Sequence, residues 1–406
     1  MTRAGTAAFI VENIRWLSAG ILLSFLSSFG QTFFISIFAG EIRAEFGLSH
    51  GGWGGLYSLG TALSALVMIW AGTLTDRFRV RTLSPVILCG LALACFAVAS
   101  NRSFLLLPVI VFALRFFGQG MCMHITAVAM VRWFVATRGR ALAISALGYS
   151  AGEALLPLAF VNAMNRVDWH ILWVFCGIVC LLGIPVLSKL LIQERTPQSM
   201  AQDQSSTGMQ NRHWTRLDAI RHPLFWFLVP ALLGPSAFVT ALFFHQVHLA
   251  EIKGWTHSGL VALFPAFTSM SILAALGTGW ALDKWGTRAL MPVFQAPLAI
   301  GFVCLSLTSS LSGGLVGFLF LALGIGANAT LPSAFWAEYY GTGHIGAIKA
   351  MAVAIMVLGS AIGPGLTGVL LDFGIGLETQ FLAISIYFVA VCISVELGLS
   401  RLRIAA

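Results

Sequence analysis

Two residues stand out for their chemistry in this 406-residue sequence, Arg115 and Glu153. Each lies inside a long apolar run. Counted from the starts of their runs, near Phe104 and Ala141, they are about 11 and 12 residues deep, or ~16 and ~18 Å at 1.5 Å per helical residue. That is the middle of a hydrocarbon layer ~30 Å thick. A charge at that depth is costly and marks a path for solute, ion or proton. A guanidinium is always ionised and grips a carboxylate through two parallel hydrogen bonds, which makes Arg115 a candidate anion site. Burial raises a carboxyl pKa and a neighbouring guanidinium lowers it, so Glu153 is a candidate proton carrier. The bland alternative is an Arg–Glu pair that only joins two adjacent helices. Gln31, Tyr149 and Asn328 lie at comparable depth and complete the candidate solute or coupling set. Gln119, His124, Gln246 and Gln295 are also deep, but isolated amides as often serve as hydrogen bonds between helices.

The elements that must carry these residues follow from composition. The chain is 58% hydrophobic and 9% charged, with a mean hydropathy of +0.90. An ordinary soluble domain has roughly 25% charged residues, and no water-soluble fold could hide so much apolar surface. Runs able to cross a membrane as helices lie near residues 16–38, 53–74, 83–100, 104–131, 141–164 and 171–191, then 223–244, 260–282, 289–307, 315–335, 345–371 and 381–399. The expected fold is therefore all-α and integral to the membrane. It has twelve transmembrane helices in two pseudo-symmetric six-helix bundles around a central cavity. The expected parts are a first bundle over 1–192, a loop over 193–221 and a second bundle over 222–406.

Eighteen Lys and Arg residues fall on the side that holds the N-terminus and four on the other, with Arg115 between. Basic loops stay in the cytoplasm, so both termini are expected there, in a multi-pass protein of the inner membrane. The net charge of +8 is thereby a topology signal and not a nucleic-acid surface. The seven cysteines lack metal or disulfide spacing. His245 and His248 have only Glu251 as an obvious third ligand, so an interfacial or outer-gate role is expected for them and no metal.

The halves repeat. Residues 72–77 read GTLTDR and 279–284 read GWALDK, and Gly47-Leu48-Ser49 recurs at the same offset as Gly254-Trp255-Thr256. Ser49 and Thr256 are placed to cap the second and eighth helices. The first copy, Gly72 to Arg81 with Asp76 and Arg77, resembles the G-x-L-x-D-R-x-G-R-R signature of the major facilitator superfamily. Gly279, Asp283, Lys284, Gly286 and Arg288 form the second copy. The resemblance spans the chain. It implies a latch in which the acidic residue caps a helix of the opposite half while basic neighbours pair with it. Arg79 departs from the pattern, which has glycine there. Arg115, Gly118 and Gly120 resemble the family's intramembrane R-x-x-x-G-x-G element, displaced by one residue. Gly359, Gly363 and Pro364 resemble its glycine-proline helix, where missing side chains permit close packing. The run Trp336 to Gly341 resembles bacterial members that carry organic anions.

The function expected from this is secondary active transport of a small organic solute by alternating access, with an organic anion as the best candidate and protons as the candidate coupling ion. Efflux of drugs or amphipathic solutes by the same fold is one alternative, and a non-transporting receptor or scaffold another. No nucleotide-binding loop, H-E-x-x-H or G-x-S-x-G motif is present. No enzyme and no cofactor are expected, and the partners are solute, bilayer and protons around a functional monomer.

Overall fold

A computed structural model describes residues 3–134, 137–193, 207–341 and 344–404. Among these the secondary structure is helical throughout, without strands. Ten helices are long and apolar enough to cross a membrane. They are α2 (His50–Ala71), α3 (Val80–Ser100), α4 (Phe104–Trp133), α5 (Arg138–Met164), α6 (Trp169–Leu190), α7 (Pro223–Phe244), α8 (His257–Leu290), α10 (Leu311–Tyr340), α11 (Ile345–Asp372) and α12 (Leu377–Ile404). The bent pair Ile14–Gly30 and Thr32–Phe46 makes an eleventh span, α1, and the shorter Ala296–Leu307 is α9. Leu93, Leu182, Leu276, Leu307 and Ile386 are more than 60% exposed. Such surface would aggregate in water and is at home in lipid.

Two spans differ from their expected form. α1 is broken at Gln31, whose backbone is extended (φ −89°, ψ 152°), and its halves meet at a 47° bend. α9 begins only at Ala296, because turns occupy 291–295. Pro292 and Pro297 contribute to the loss because each lacks the amide hydrogen that a continuous helix would use; Met291 before Pro292 keeps helical angles, φ −56° and ψ −37°.

Contacts divide the chain into two units. One holds Met1–Gly47 with Leu59–Asp203, the other Leu48–Ser58 with Gln204–Ala406. The same construction appears inside each. In the first, α5 lies on α1 through Gly148 and Gly152, where a Cβ would come 2.0 Å from the Ile21 carbonyl and 2.0 Å from Ser28 Oγ. In the second, α11 lies on α7 through Gly359 and Gly363, where a Cβ would come 2.7 Å from the Leu233 carbonyl and 2.1 Å from that of Ala237. Only glycine allows backbones so close. Gly47 and Gly254 are both left-handed, at φ 62° and 67°. Ser49 Oγ accepts from Gly52 N, and Thr256 Oγ1 from Gly259 N, so both caps form as the repeat predicts.

Candidate functional site

The first unit assembles its polar interior where two helices are irregular at the same level. α1 narrows to a 3₁₀ turn over Ser27–Gly30 before its break, and α4 widens to a π-helix over Arg115–Cys122. Irregular turns of both kinds recur at functional sites because they free backbone groups and re-aim side chains. Gly30 and Gly118 let the two helices cross backbone to backbone; a Cβ on Gly118 would sit 2.7 Å from Gly30 Cα. This contact puts Arg115, only 3% exposed, beside the break. Its Nη1 donates to the Gly30 carbonyl at 3.3 Å and to Thr32 Oγ1 at 3.1 Å.

α5 supplies the acidic side. Tyr149 donates its hydroxyl to Glu153 Oε1 at 3.1 Å, one helical turn on. The Tyr149 hydroxyl is within electrostatic reach of both Glu153 and Arg115, and the edge of its ring packs against Phe33 at 5.6 Å. Arg115, Tyr149 and Glu153 thus form one neighbourhood, with Gln31 buried at the break itself. Asn328 belongs to the second unit, on α10, and its Oδ1 is buried without a hydrogen-bond partner. Sequence reading did not single out Gly30 and Thr32, the acceptors that hold Arg115. The signal for them was the polar triplet Gly30-Gln31-Thr32 in the middle of an apolar run.

The two motif copies are anchored differently. In the first, the Gly72 carbonyl accepts from His124 Nε2 at 3.1 Å and from Thr75 Oγ1, and Arg132 donates to the Thr75 carbonyl, tying the loop to α4. Arg81 donates to the Ile192 carbonyl, and Arg77 is exposed. Asp76 falls in the short helix Leu74–Arg77, but its side chain lies outside the described residues. Arg79 is extended at φ −68° and needs no glycine freedom. In the second copy Gly286 does need it, at φ 74° and ψ 169°. Thr287 donates to Glu338 of α10, and Arg288 makes a two-pronged pair with Glu396 of α12, both bonds 2.7 Å. Lys284 lies over the rings of Trp280 and Trp285. Gly279 has open space around it, and Asp283 is exposed. Gly120 faces Met68 of α2, and the Pro364 carbonyl accepts from His245 Nε2.

Chemically, a buried guanidinium is suited to pair with an anion, and a carboxyl bonded to a hydroxyl is suited to hold a proton. The chain is 25% identical over 358 residues to an uncharacterised MFS-type transporter, YcxA, of Bacillus subtilis, covering 82% of each. It is 23% identical over 243 residues to a gentisate transporter of Corynebacterium glutamicum, covering 56% of this chain and 52% of that one. Its fold is similar to that of a bacterial homologue of the human lysosomal transporter Spinster, with TM-score 0.69 at 16% identity over 95% and 94% of the two chains. It is also similar to the nucleoside transporter NupG, with TM-score 0.71 at 13% identity over 95% and 98%. The family model of the Major Facilitator Superfamily matches residues 20–364, and the chain, a multi-pass membrane transporter, belongs to that superfamily.

Proposed function

We propose that the solute is a small organic anion, bound by Arg115, and that Glu153 carries the coupled proton during alternating access. The observation that supports this best is the placement of Arg115. It is a buried, permanently charged group on α4 beside the break in α1, held by one neutral carbonyl and one hydroxyl among its hydrogen bonds. At such a break the positive end of the following half-helix also favours an anion. The Tyr149 hydroxyl bonded to Glu153 gives the carboxyl a donor whose hold weakens when the acid is protonated. The name of one relative, a gentisate transporter, points to the same ligand class. In this reading Asp76, Arg77, Arg81, Asp283, Lys284 and Arg288 work the latch on the cytoplasmic side, where both termini also lie, and the unit of function is a monomer.

The test is a thermal-shift screen of the purified protein against small carboxylates, sugars and amphipathic drugs, followed by uptake of the hits in reconstituted vesicles. Stabilisation by carboxylates, with uptake, is expected. Stabilisation by amphipathic cations alone would favour efflux of drugs, and binding without uptake a receptor.

A further inference from the structure

The stretch that leads into α7 is built onto the second unit. The backbone amide of Trp214 donates to the carbonyl of Tyr340, the last residue of α10, at 3.1 Å, and its indole Nε1 donates to the Met209 carbonyl at 3.0 Å. Trp214 is buried, and the Arg212 guanidinium lies over its ring at 4.0 Å. A short helix then runs over Arg216–Arg221. Thr215 and Asp218 close a capping box at its start: Thr215 Oγ1 accepts from Asp218 N at 3.3 Å, and Asp218 Oδ2 accepts from Thr215 N at 3.1 Å. Ala219 is the buried side chain of this helix. At 3.6 residues per turn, the face opposite Ala219 carries Leu217 and Ile220, flanked by Arg216 and Arg221. Leu217 is 61% exposed and Ile220 37%, and both arginines are exposed. The helix thus turns its bulky apolar side chains away from the protein.

Two features put that face at the membrane surface. His222 is extended (φ −84°, ψ 128°) and Pro223 is the first residue of α7, so a single residue separates the helix from the span. Trp226, in the first turn of α7, is 59% exposed, and its Nε1 donates to the Ile220 carbonyl at 2.8 Å. An indole at the end of a span sits at headgroup level, and this bond holds the end of the short helix at the same depth. The charges here are unequal. Arg212, Arg216 and Arg221 share the stretch with one carboxylate, Asp218, which lies within electrostatic reach of Arg212 and Arg221. Even with that carboxylate fully counted, two positive charges remain. Arg401 of α12 adds another beside the start of α7, over the ring of Phe227 at 5.1 Å.

We infer that this face is a docking surface for acidic phospholipids, with Leu217, Ile220 and Trp226 entering the acyl boundary and Arg216 and Arg221 holding headgroup phosphates. Both parts of the face select that ligand. A soluble acidic protein would meet the arginines but not Trp226, which stands in a bilayer-crossing helix. A neutral lipid surface would take the apolar side chains and leave the excess positive charge unmatched. A phosphodiester accepts two N–H groups of one guanidinium, and an apolar face with basic flanks lying in the interface is the form that prefers anionic leaflets. Docking fixes the stretch at the point where α7 enters the membrane. The surface is separate from Arg115 and Glu153, and its test needs no solute.

The experiment places the full-length protein, with Cys89 replaced by serine, in nanodiscs of phosphatidylcholine alone or mixed with phosphatidylglycerol. A nitroxide on Leu217→Cys reports depth by its collisions with oxygen, which concentrates among acyl chains, and with a nickel chelate, which stays in water. Oxygen should dominate, and more so with phosphatidylglycerol. Dominance of the nickel chelate in both lipids overturns the inference. In parallel, native mass spectrometry counts the lipids retained by protein released from the mixed nanodiscs. Each arginine at an acidic surface contributes about fivefold, so Arg216→Gln with Arg221→Gln should lower the ratio of bound phosphatidylglycerol to phosphatidylcholine at least about fivefold. Arg79→Gln with Arg138→Gln removes the same charge from exposed residues of two other loops and should change the ratio less than about twofold. Equal losses in the two double variants would assign the attraction to net charge alone and overturn the inference, as would a wild type that retains no excess of phosphatidylglycerol.

Discussion

Replacing Gly118 by alanine adds one methyl group at the crossing of α1 and α4, and its cost can be worked from the distances. The new Cβ would lie 2.7 Å from Gly30 Cα, 2.9 Å from Gly30 N and 3.1 Å from the Ser27 carbonyl. All three are backbone atoms, so no side chain can swing aside. Ordinary contact begins near 3.4 Å, so the helices must part by about 0.7 Å. Gly30 also provides the carbonyl that holds Arg115 at 3.3 Å. The same displacement takes that bond to about 4 Å, beyond hydrogen-bond reach. Overpacking costs about 1–3 kcal/mol, and a lost bond to a charged group about 1.5–3 kcal/mol. Gly277→Ala is the control: that helical glycine has nothing within 4 Å of its would-be Cβ, and alanine there should stabilise by up to about 1 kcal/mol. Thermal unfolding followed with a thiol-reactive dye, which reports the buried Cys95, Cys122, Cys176 and Cys180, should show the two variants moving in opposite directions from wild type. Equal melting of Gly118→Ala and wild type would refute the claim that this crossing positions Arg115.

The two motif copies should respond differently to backbone changes. Gly286→Ala, at φ 74° and ψ 169°, should cost about 1–3 kcal/mol in the same melt, whereas Arg79→Gly should gain nothing, since φ −68° suits any residue; equal effects would contradict the asymmetry. In the loop before α6, hydrogen bonds from the His170 backbone and ring hold Asp168 below the usual carboxylate range. A depressed pKa stabilises the fold above the unfolded value and is lost as pH falls through the folded one, so the start of α6 should loosen below about pH 4. Amide exchange at His170 should show this in wild type and not in Asp168→Asn; an identical pH profile would sink the assignment.

What could be read in the sequence was local or strongly periodic. The caps at Ser49 and Thr256 and the turns at Gly47 and Gly254 follow from a few adjacent residues, and the spans follow from hydropathy. The break in α1 was hidden because Gln31 looks like any isolated intramembrane amide. The shortened α9 was misjudged because Pro292 and Pro297 sit in a run that stays apolar. Nothing in the composition of Arg115–Cys122 distinguishes a π-turn from an α-turn, since the two differ by one residue of register. Arg115, Tyr149 and Glu153 were legible as candidates by depth, but Gly30 and Thr32 needed the fold. The docking of Trp214 on the Tyr340 carbonyl is a tertiary fact between residues far apart in the chain.

The most direct test of the central claim compares exchange and gradient-driven uptake of a stabilising carboxylate in vesicles containing wild type, Arg115→Lys, Arg115→Ala or Glu153→Gln. A lysine keeps the charge without the two-pronged fork, so Arg115→Lys should weaken both processes and Arg115→Ala should nearly abolish them. Glu153→Gln, which imitates the protonated acid, should keep exchange and lose uptake driven by a pH gradient. Retention of wild-type exchange by Arg115→Ala, or of pH-driven accumulation by Glu153→Gln, would contradict the account.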